Sequence, residues 1–171
     1  DRFAKPEERF LIREKITRPR AAAKEVVMVI DGSASMEEAR AWLSGALKST
    51  NPEGLKIILA DDKARVVSPS KLEDFRFSGG RDNEPALREG IRMAKETAAP
   101  VVWIHGPQAV GLSQPEALLQ LLDRGTVHPV IHEIEAVSGP NRLAESVFRS
   151  GCLKRGPSLS KPAEDLSRFL D

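Results

Sequence analysis

The chain carries a single cysteine, Cys152, among 171 residues. That excludes an internal disulfide and any multi-cysteine metal site, and it leaves the redox compartment open. An excess of one charge is lacking as well, since 26 Lys and Arg stand against 25 Asp and Glu. No long-range field therefore favours nucleic acid or an anionic membrane surface. The short basic runs Arg18-Pro19-Arg20 and Lys154-Arg155 read as solvated segments. No apolar run approaches the ~20 residues that a membrane-spanning helix needs, and the first residues are charged, unlike a signal peptide. Internal repeats and low-complexity tracts are absent too.

Several catalytic signatures are also missing. Without a G-x-x-x-x-G-K-[ST] loop, nucleotide hydrolysis is not expected. Neither Gly32-Ser33-Ala34-Ser35 nor Gly111-Leu112-Ser113-Gln114-Pro115 fits the G-x-S-x-G elbow of a serine hydrolase. Asp31 ends an apolar run as a phosphoryl-accepting aspartate would, but Ser33 stands where a D-x-D pattern needs its second carboxylate. Of the three histidines, His128 and His132 fall on an expected strand, ~13 Å apart along one face, which is not a metal-helix spacing. The reading is a non-enzyme, with a small hydrolase as the least favoured alternative.

What the chain does have is a regular alternation of strand and helix patterns. Val26 to Ile30 is apolar throughout, as in a strand buried on both faces of a parallel sheet. Met36, Ala39, Trp42, Leu43, Ala46 and Leu47 recur at helical spacing, which predicts a helix from about 36 to 48. Leu55 to Ala60 and Ala64 to Val67 flank Asp61-Asp62-Lys63 as a hairpin, so one of the two runs antiparallel. A Ser78-Gly79-Gly80-Arg81-Asp82-Asn83 loop opens a helix through Ala86, Leu87, Gly90, Ile91 and Ala94, with Pro85 in its first turn. Val101 to Ile104 is a further buried strand, stopped by His105-Gly106-Pro107.

Ser113 to Glu116 predicts a capping box for a helix that Gly125 ends. A strand over 127–134, a helix over 141–148, an edge strand near 151–153 and a helix over 162–170 complete the expected pattern. Residues 1–22 read as a lead-in from a preceding module, able to add an edge strand, and 23–171 as the domain. The expected fold is a doubly wound α/β sheet, mostly parallel with one antiparallel edge strand and helices on both faces.

The end of the first buried strand is where such a sheet places its ligand site. There Asp31-Gly32-Ser33-Ala34-Ser35 can offer a carboxylate and two hydroxyls, the hard oxygens that Mg²⁺ or Mn²⁺ prefers. Val26 to Met36 resembles the first motif of the von Willebrand factor A domain family, whose metal-ion-dependent adhesion site begins with an aspartate and two serines in this spacing. The likeness runs from about Ala23 to Leu153 and includes the hairpin, the Gly79-Gly80 loop and the strand before His105. The resemblance implies a six-stranded sheet between helices and recognition of a protein ligand. It also implies a larger multidomain parent, envelope-associated or extracytoplasmic, with no nucleic-acid partner and no membrane insertion by this segment.

Two positions depart from the family pattern. A threonine is matched by Arg81 and an aspartate by His105, so two hard oxygen ligands are lost. A guanidinium accepts no coordinate bond and repels a divalent cation. The first expectation is therefore that Arg81 takes the metal's place as the positive charge beside Asp31, giving a degenerate, metal-independent face made by Asp31, Ser33, Ser35, Arg81, Asp82 and His105. A second reading keeps a cation on Asp31, Ser33 and Ser35, with Asp82 or Asn83 supplying the missing oxygen. A third uses His105 to hold Zn²⁺, Ni²⁺ or Cu²⁺. The same residues have structural uses: Ser35 with Glu38 reads as a capping box, and Asp31 suits a helix N-terminus.

Overall fold

Burial, more than propensity, orders this chain into layers. The structure is a computed structural model that describes residues 25–48, 53–123, 129–148, 153–155 and 166. The strand β1 (Val26–Asp31) is buried along its whole length, as its unbroken apolar run predicts. Val27 and Val29 join a cluster on one face of the sheet, while Val26, Met28 and Ile30 join a second cluster on the other. Each such side chain contributes roughly 1.5–3 kcal/mol on leaving water.

After β1 come a 3-10 segment (Ala34–Ala39) and α1 (Arg40–Lys48), then β2 (Leu55–Ala60), β3 (Ala64–Val67) and a one-turn helix α2 (Lys71–Asp74). The helix α3 (Glu84–Thr97), β4 (Val101–His105), α4 (Pro115–Asp123), β5 (Ile131–Glu135), α5 (Arg142–Phe148) and β6 (Leu153–Arg155) follow. The sheet has the order β3-β2-β1-β4-β5-β6, in which β6 is a three-residue edge strand. All pairings are parallel except β2 with β3, where Ile58 faces Val66 and Leu59 faces Arg65. The expected mixed sheet with one antiparallel edge is thus the observed one.

One face is covered by α3, α4 and α5 and the other by the 3-10 segment, α1 and α2, as the side chains of the two clusters show. The helix α3 lies close on the sheet at Gly90, where an added Cβ would come within 2.7 Å of Val29 Cγ2. A larger residue there would push the helix off its neighbours.

Several boundaries differ from expectation. The helix over 36–48 is divided, because the chain leaves β1 in a tight 3-10 turn closed by the Met36 amide on the Ser33 carbonyl. Ser33 flanks that turn and Ser35 lies inside it, so Ser35 does not cap a helix. The strand expected over 127–134 begins at Ile131, and its residues 127–128 lie outside those described. The edge strand expected over 151–153 is β6, at 153–155. The lead-in, Gly125, His128 and Cys152 also lie outside the described residues, as does all of the 162–170 helix except the buried Leu166.

Candidate functional site

Strand order places the site. The chain winds outward in both directions from the adjacent strands β1 and β4, and a crevice forms at the carboxyl ends of such a pair. Asp31 ends β1 and His105 ends β4. Both are buried, at 0% and 1% exposure.

Around Asp31 the chain has built a shell of hydrogen-bond donors. Oδ1 accepts the Ser33 amide at 3.1 Å, the Ser33 hydroxyl at 2.6 Å and Asn83 Nδ2 at 2.9 Å. Oδ2 faces the Gly106 amide at 3.3 Å. Ser33 Oγ in turn accepts the Arg81 amide at 2.9 Å, which ties the glycine loop to the end of β1. The turn that delivers Ser33 depends on Gly32, where a Cβ would sit 2.5 Å from the Ala60 carbonyl oxygen of β2.

The amide of Asn83 has a fixed orientation. Trp103 Nε1 donates to Asn83 Oδ1 at 3.0 Å, and an indole N–H can only donate. The oxygen of Asn83 is therefore turned to Trp103 and its NH2 to Asp31 and to the Arg81 carbonyl. Gln108 closes the loop from the other side, donating to the Arg81 carbonyl at 2.6 Å.

Arg81 lies elsewhere than expected. Its guanidinium reaches Asp62 at 2.8 Å, Asp61 at 3.4 Å and both oxygens of Ser78, and its charge is not placed on Asp31. The physical reason is desolvation: a guanidinium beside fully buried Asp31 would have to shed its water, whereas the hairpin offers two carboxylates at the surface. The Asp62 hydrogen bond, followed by the charges of Asp61 and Asp62, raises the Arg81 pKa further above its already high ordinary value. The Asp82 amide, then Arg81, hold the Asp62 carboxyl below the usual aspartate range.

The remaining expected site residues divide. Ser35 is exposed at the same end of the sheet, and the loop after β4 touches it, since a Cβ at Gly106 would lie 3.1 Å from Ser35 Oγ. Asp82 Oδ1 accepts the Glu84 amide at 3.0 Å and so caps α3. His105 turns toward β5, with Nε2 2.6 Å from Glu133 Oε1 and Nδ1 3.0 Å from Asn141 Nδ2. Both ring nitrogens are thereby engaged, which takes from His105 the free lone pair that Zn²⁺, Ni²⁺ or Cu²⁺ would use.

The donor set does not fit a divalent cation of the kind the resemblance implies. A cation at Asp31 would meet the NH2 of Asn83, and an N–H donor repels it. Asp82 Oδ1 is engaged at the start of α3, and the oxygen of Asn83 is turned to Trp103, so Asn83 does not supply the missing oxygen. Among the described residues no group of three or more His, Cys, Asp or Glu is placed to hold a metal ion.

Comparison with known proteins rests on structure. No family model matches the sequence, and no curated protein does. Among solved structures, the manganese-loaded TRAP protein of Plasmodium vivax is 14% identical, with a TM-score of 0.50 over 86% of this chain and 74% of that one. Proximal thread matrix protein 1 from the mussel byssus is 15% identical, with a TM-score of 0.51 over 85% of this chain and 44% of its own. The VWA2 protein of Sulfolobus acidocaldarius is 15% identical, with a TM-score of 0.51 over 84% and 44%. The chain has a von Willebrand factor A-like fold. It spans less than half the length of the latter two proteins. At such identity the likeness concerns the fold alone.

Sequence reasoning missed much of the lining of the β1–β4 crevice. Asn83, expected to offer an oxygen, presents its NH2 to Asp31 instead. Trp103, Gln108, Glu133 and Asn141 were not singled out at all. Trp103 and His105 stand two apart on β4 and so share a face, which is the one signal that could have linked the tryptophan to the site. The capping box expected at Ser113 is replaced by a partner from α3: Glu84 accepts the Ser113 amide and hydroxyl at 2.8 Å and the Gln114 amide at 2.9 Å.

Proposed function

We propose that this chain is a non-catalytic protein-interaction domain of a larger multidomain protein, and that its crevice is held together without a metal. The observation that carries the reading is the Asp31 carboxylate, buried and surrounded by Ser33, Asn83 and Gly106 as donors. In a cation site that carboxylate would face the ion. Here neutral donors do the ion's structural work, fixing the ends of β1 and β4 and the 78–83 loop at one end of the sheet. A protein ligand would meet that end through the exposed Ser35 and the half-buried Arg81 and Asp82 rather than through a bridging metal.

The non-catalytic part of the reading has its own support. The Ser33 hydroxyl is locked between Asp31 and the Arg81 amide, and the His105 ring belongs to a separate network with Glu133 and Asn141. No serine is paired with that imidazole among the described residues.

Calorimetric titration of the whole chain with Mg²⁺ and with Mn²⁺ tests the reading. The expected result is no binding below the millimolar range and an unfolding temperature unmoved by either ion, since a ligand that bound the folded state would raise it. Micromolar binding of either ion would overturn it.

A further inference from the structure

A second surface lies on the flank of the sheet. Among the described residues the strand β3 stands at the end of the strand order and pairs only with β2. In an antiparallel pair alternate residues aim their N–H and C=O groups away from the partner strand, so an edge strand offers a row of open backbone groups. Ala64, Arg65 and Val66 are exposed, and Val66, at 62%, is the most exposed of the large apolar side chains among the described residues.

Beside this edge runs a groove of about 720 Å³, bounded by β3 on one side and by α2 and the segment after it on the other. Leu59 and Phe75 give it an apolar floor, and Arg65, Lys71, Arg76 and Arg81 stand around it. Its two acidic residues are Asp61 and Asp74. Asp61 is taken by Arg65 and Arg81, and Asp74 lies in the field of Arg40. Lys71 and Arg76 are exposed, and neither pairs with a carboxylate among the described residues. The groove thus has a cationic surplus beside an open strand.

We infer that the β3 edge and this groove receive an acidic peptide segment in extended conformation, added to the sheet as a further strand. Its backbone would pair with the open groups of β3. The period of two along a strand would send alternate side chains over the groove, where carboxylates meet Lys71 and Arg76 and small apolar groups meet Phe75. Main-chain pairing supplies affinity and the side-chain contacts supply selectivity, as in other cases of strand addition.

The probe is a fluorescein-labelled heptapeptide, Glu-Val-Glu-Thr-Glu-Val-Glu, measured by fluorescence anisotropy against the whole chain. It is expected to bind at tens to hundreds of micromolar, and more weakly as salt is raised, because the charges are exposed. The same peptide with lysine for glutamate is expected not to bind. The double variant Lys71→Glu, Arg76→Glu, at two exposed positions, is expected to weaken binding at least tenfold with an unchanged unfolding temperature. A peptide of identical charge but with alternate backbone nitrogens methylated is expected to lose binding to a similar extent. No binding of the acidic peptide, equal binding of the lysine peptide, indifference to the double variant, or full binding of the methylated peptide would each overturn the inference. Metal titration at the crevice reads neither Lys71 nor Arg76, so the two proposals fail separately.

Discussion

Two carboxylates that the sequence places in similar settings, each at the end of a strand on the same side of the sheet, meet opposite fates. Asp31 at the end of β1 is wholly buried and surrounded by neutral donors, while Asp62, just past β2, is exposed and holds the Arg81 guanidinium. Arg81, whose amide lies beside the Asp31 cluster, directs its guanidinium to the exposed carboxylate. Burying an ion pair costs desolvation of both partners, whereas a carboxylate fed by several N–H and O–H groups has its hydrogen-bonding capacity met by local polar contacts. The 78–83 loop is therefore held twice, inside by hydrogen bonds to Asp31 and outside by a charged clasp to the hairpin, and the two fastenings should differ greatly in strength.

The inner fastening predicts the largest effect. Replacing Asp31→Ala leaves the donors of Ser33, Asn83 and Gly106 without their acceptor in a dry site. Each buried group so stranded costs about 1–3 kcal/mol, and relaxation of the loop recovers part of that, so the net loss is about 3–4 kcal/mol. For a chain of this size that lowers the unfolding temperature by ~10 °C. The loss should be the same in Mg²⁺ and in chelator, because no ion is linked to folding. A variant that unfolds with the wild type would remove the cluster from the list of things that hold the fold.

A middle case lies on α3. Glu84 is buried at 1% exposure. Burial pushes its carboxyl up, but the bonds from Ser113 and Gln114 and the charge of Arg88 outweigh this and hold it below its ordinary 4.5. A carboxyl held low in the folded state contributes stability that is fully present above the unfolded value and is lost as pH falls through the folded one. Glu84→Ala should therefore cost roughly 2 kcal/mol near neutrality. Glu84→Gln should cost less and should flatten the decline of stability below pH 4.5, as followed by thermal unfolding across an acid pH series.

The sequence made the layers legible because apolar runs and helical periodicity are consequences of burial, which is a property of each segment by itself. Val26 to Ile30 could only be a doubly covered strand, and the hairpin at Asp61 to Lys63 announced the antiparallel edge. The site was legible in position but not in wiring. Which carboxylate Arg81 would choose depends on the reach of its side chain and on the dryness of Asp31, and both are set by tertiary packing. The direction of the Asn83 amide depends on Trp103, twenty residues away. Glu84 in place of a capping box at Ser113 is the same lesson: a buried carboxylate from another helix displaced the local rule.

The outer fastening predicts the smallest effect. Asp62 sits at φ 57°, a left-handed conformation in which asparagine is enriched among non-glycine residues, so Asp62→Asn removes the charge without straining the turn. The Asp62 side chain is 52% exposed, which places its pair with Arg81 among surface ion pairs worth about 0–1 kcal/mol. The variant should lose about 0.5 kcal/mol at low salt, and the difference from wild type should shrink as ionic strength rises and screening takes over. Arg81 keeps Asp61 and Ser78 as partners, which limits the loss further. Thermal unfolding of wild type and variant at low and high salt measures both effects. A cost as large as that of Asp31→Ala would mean that the charged clasp, and not the buried carboxylate, is what holds the glycine loop against the crevice.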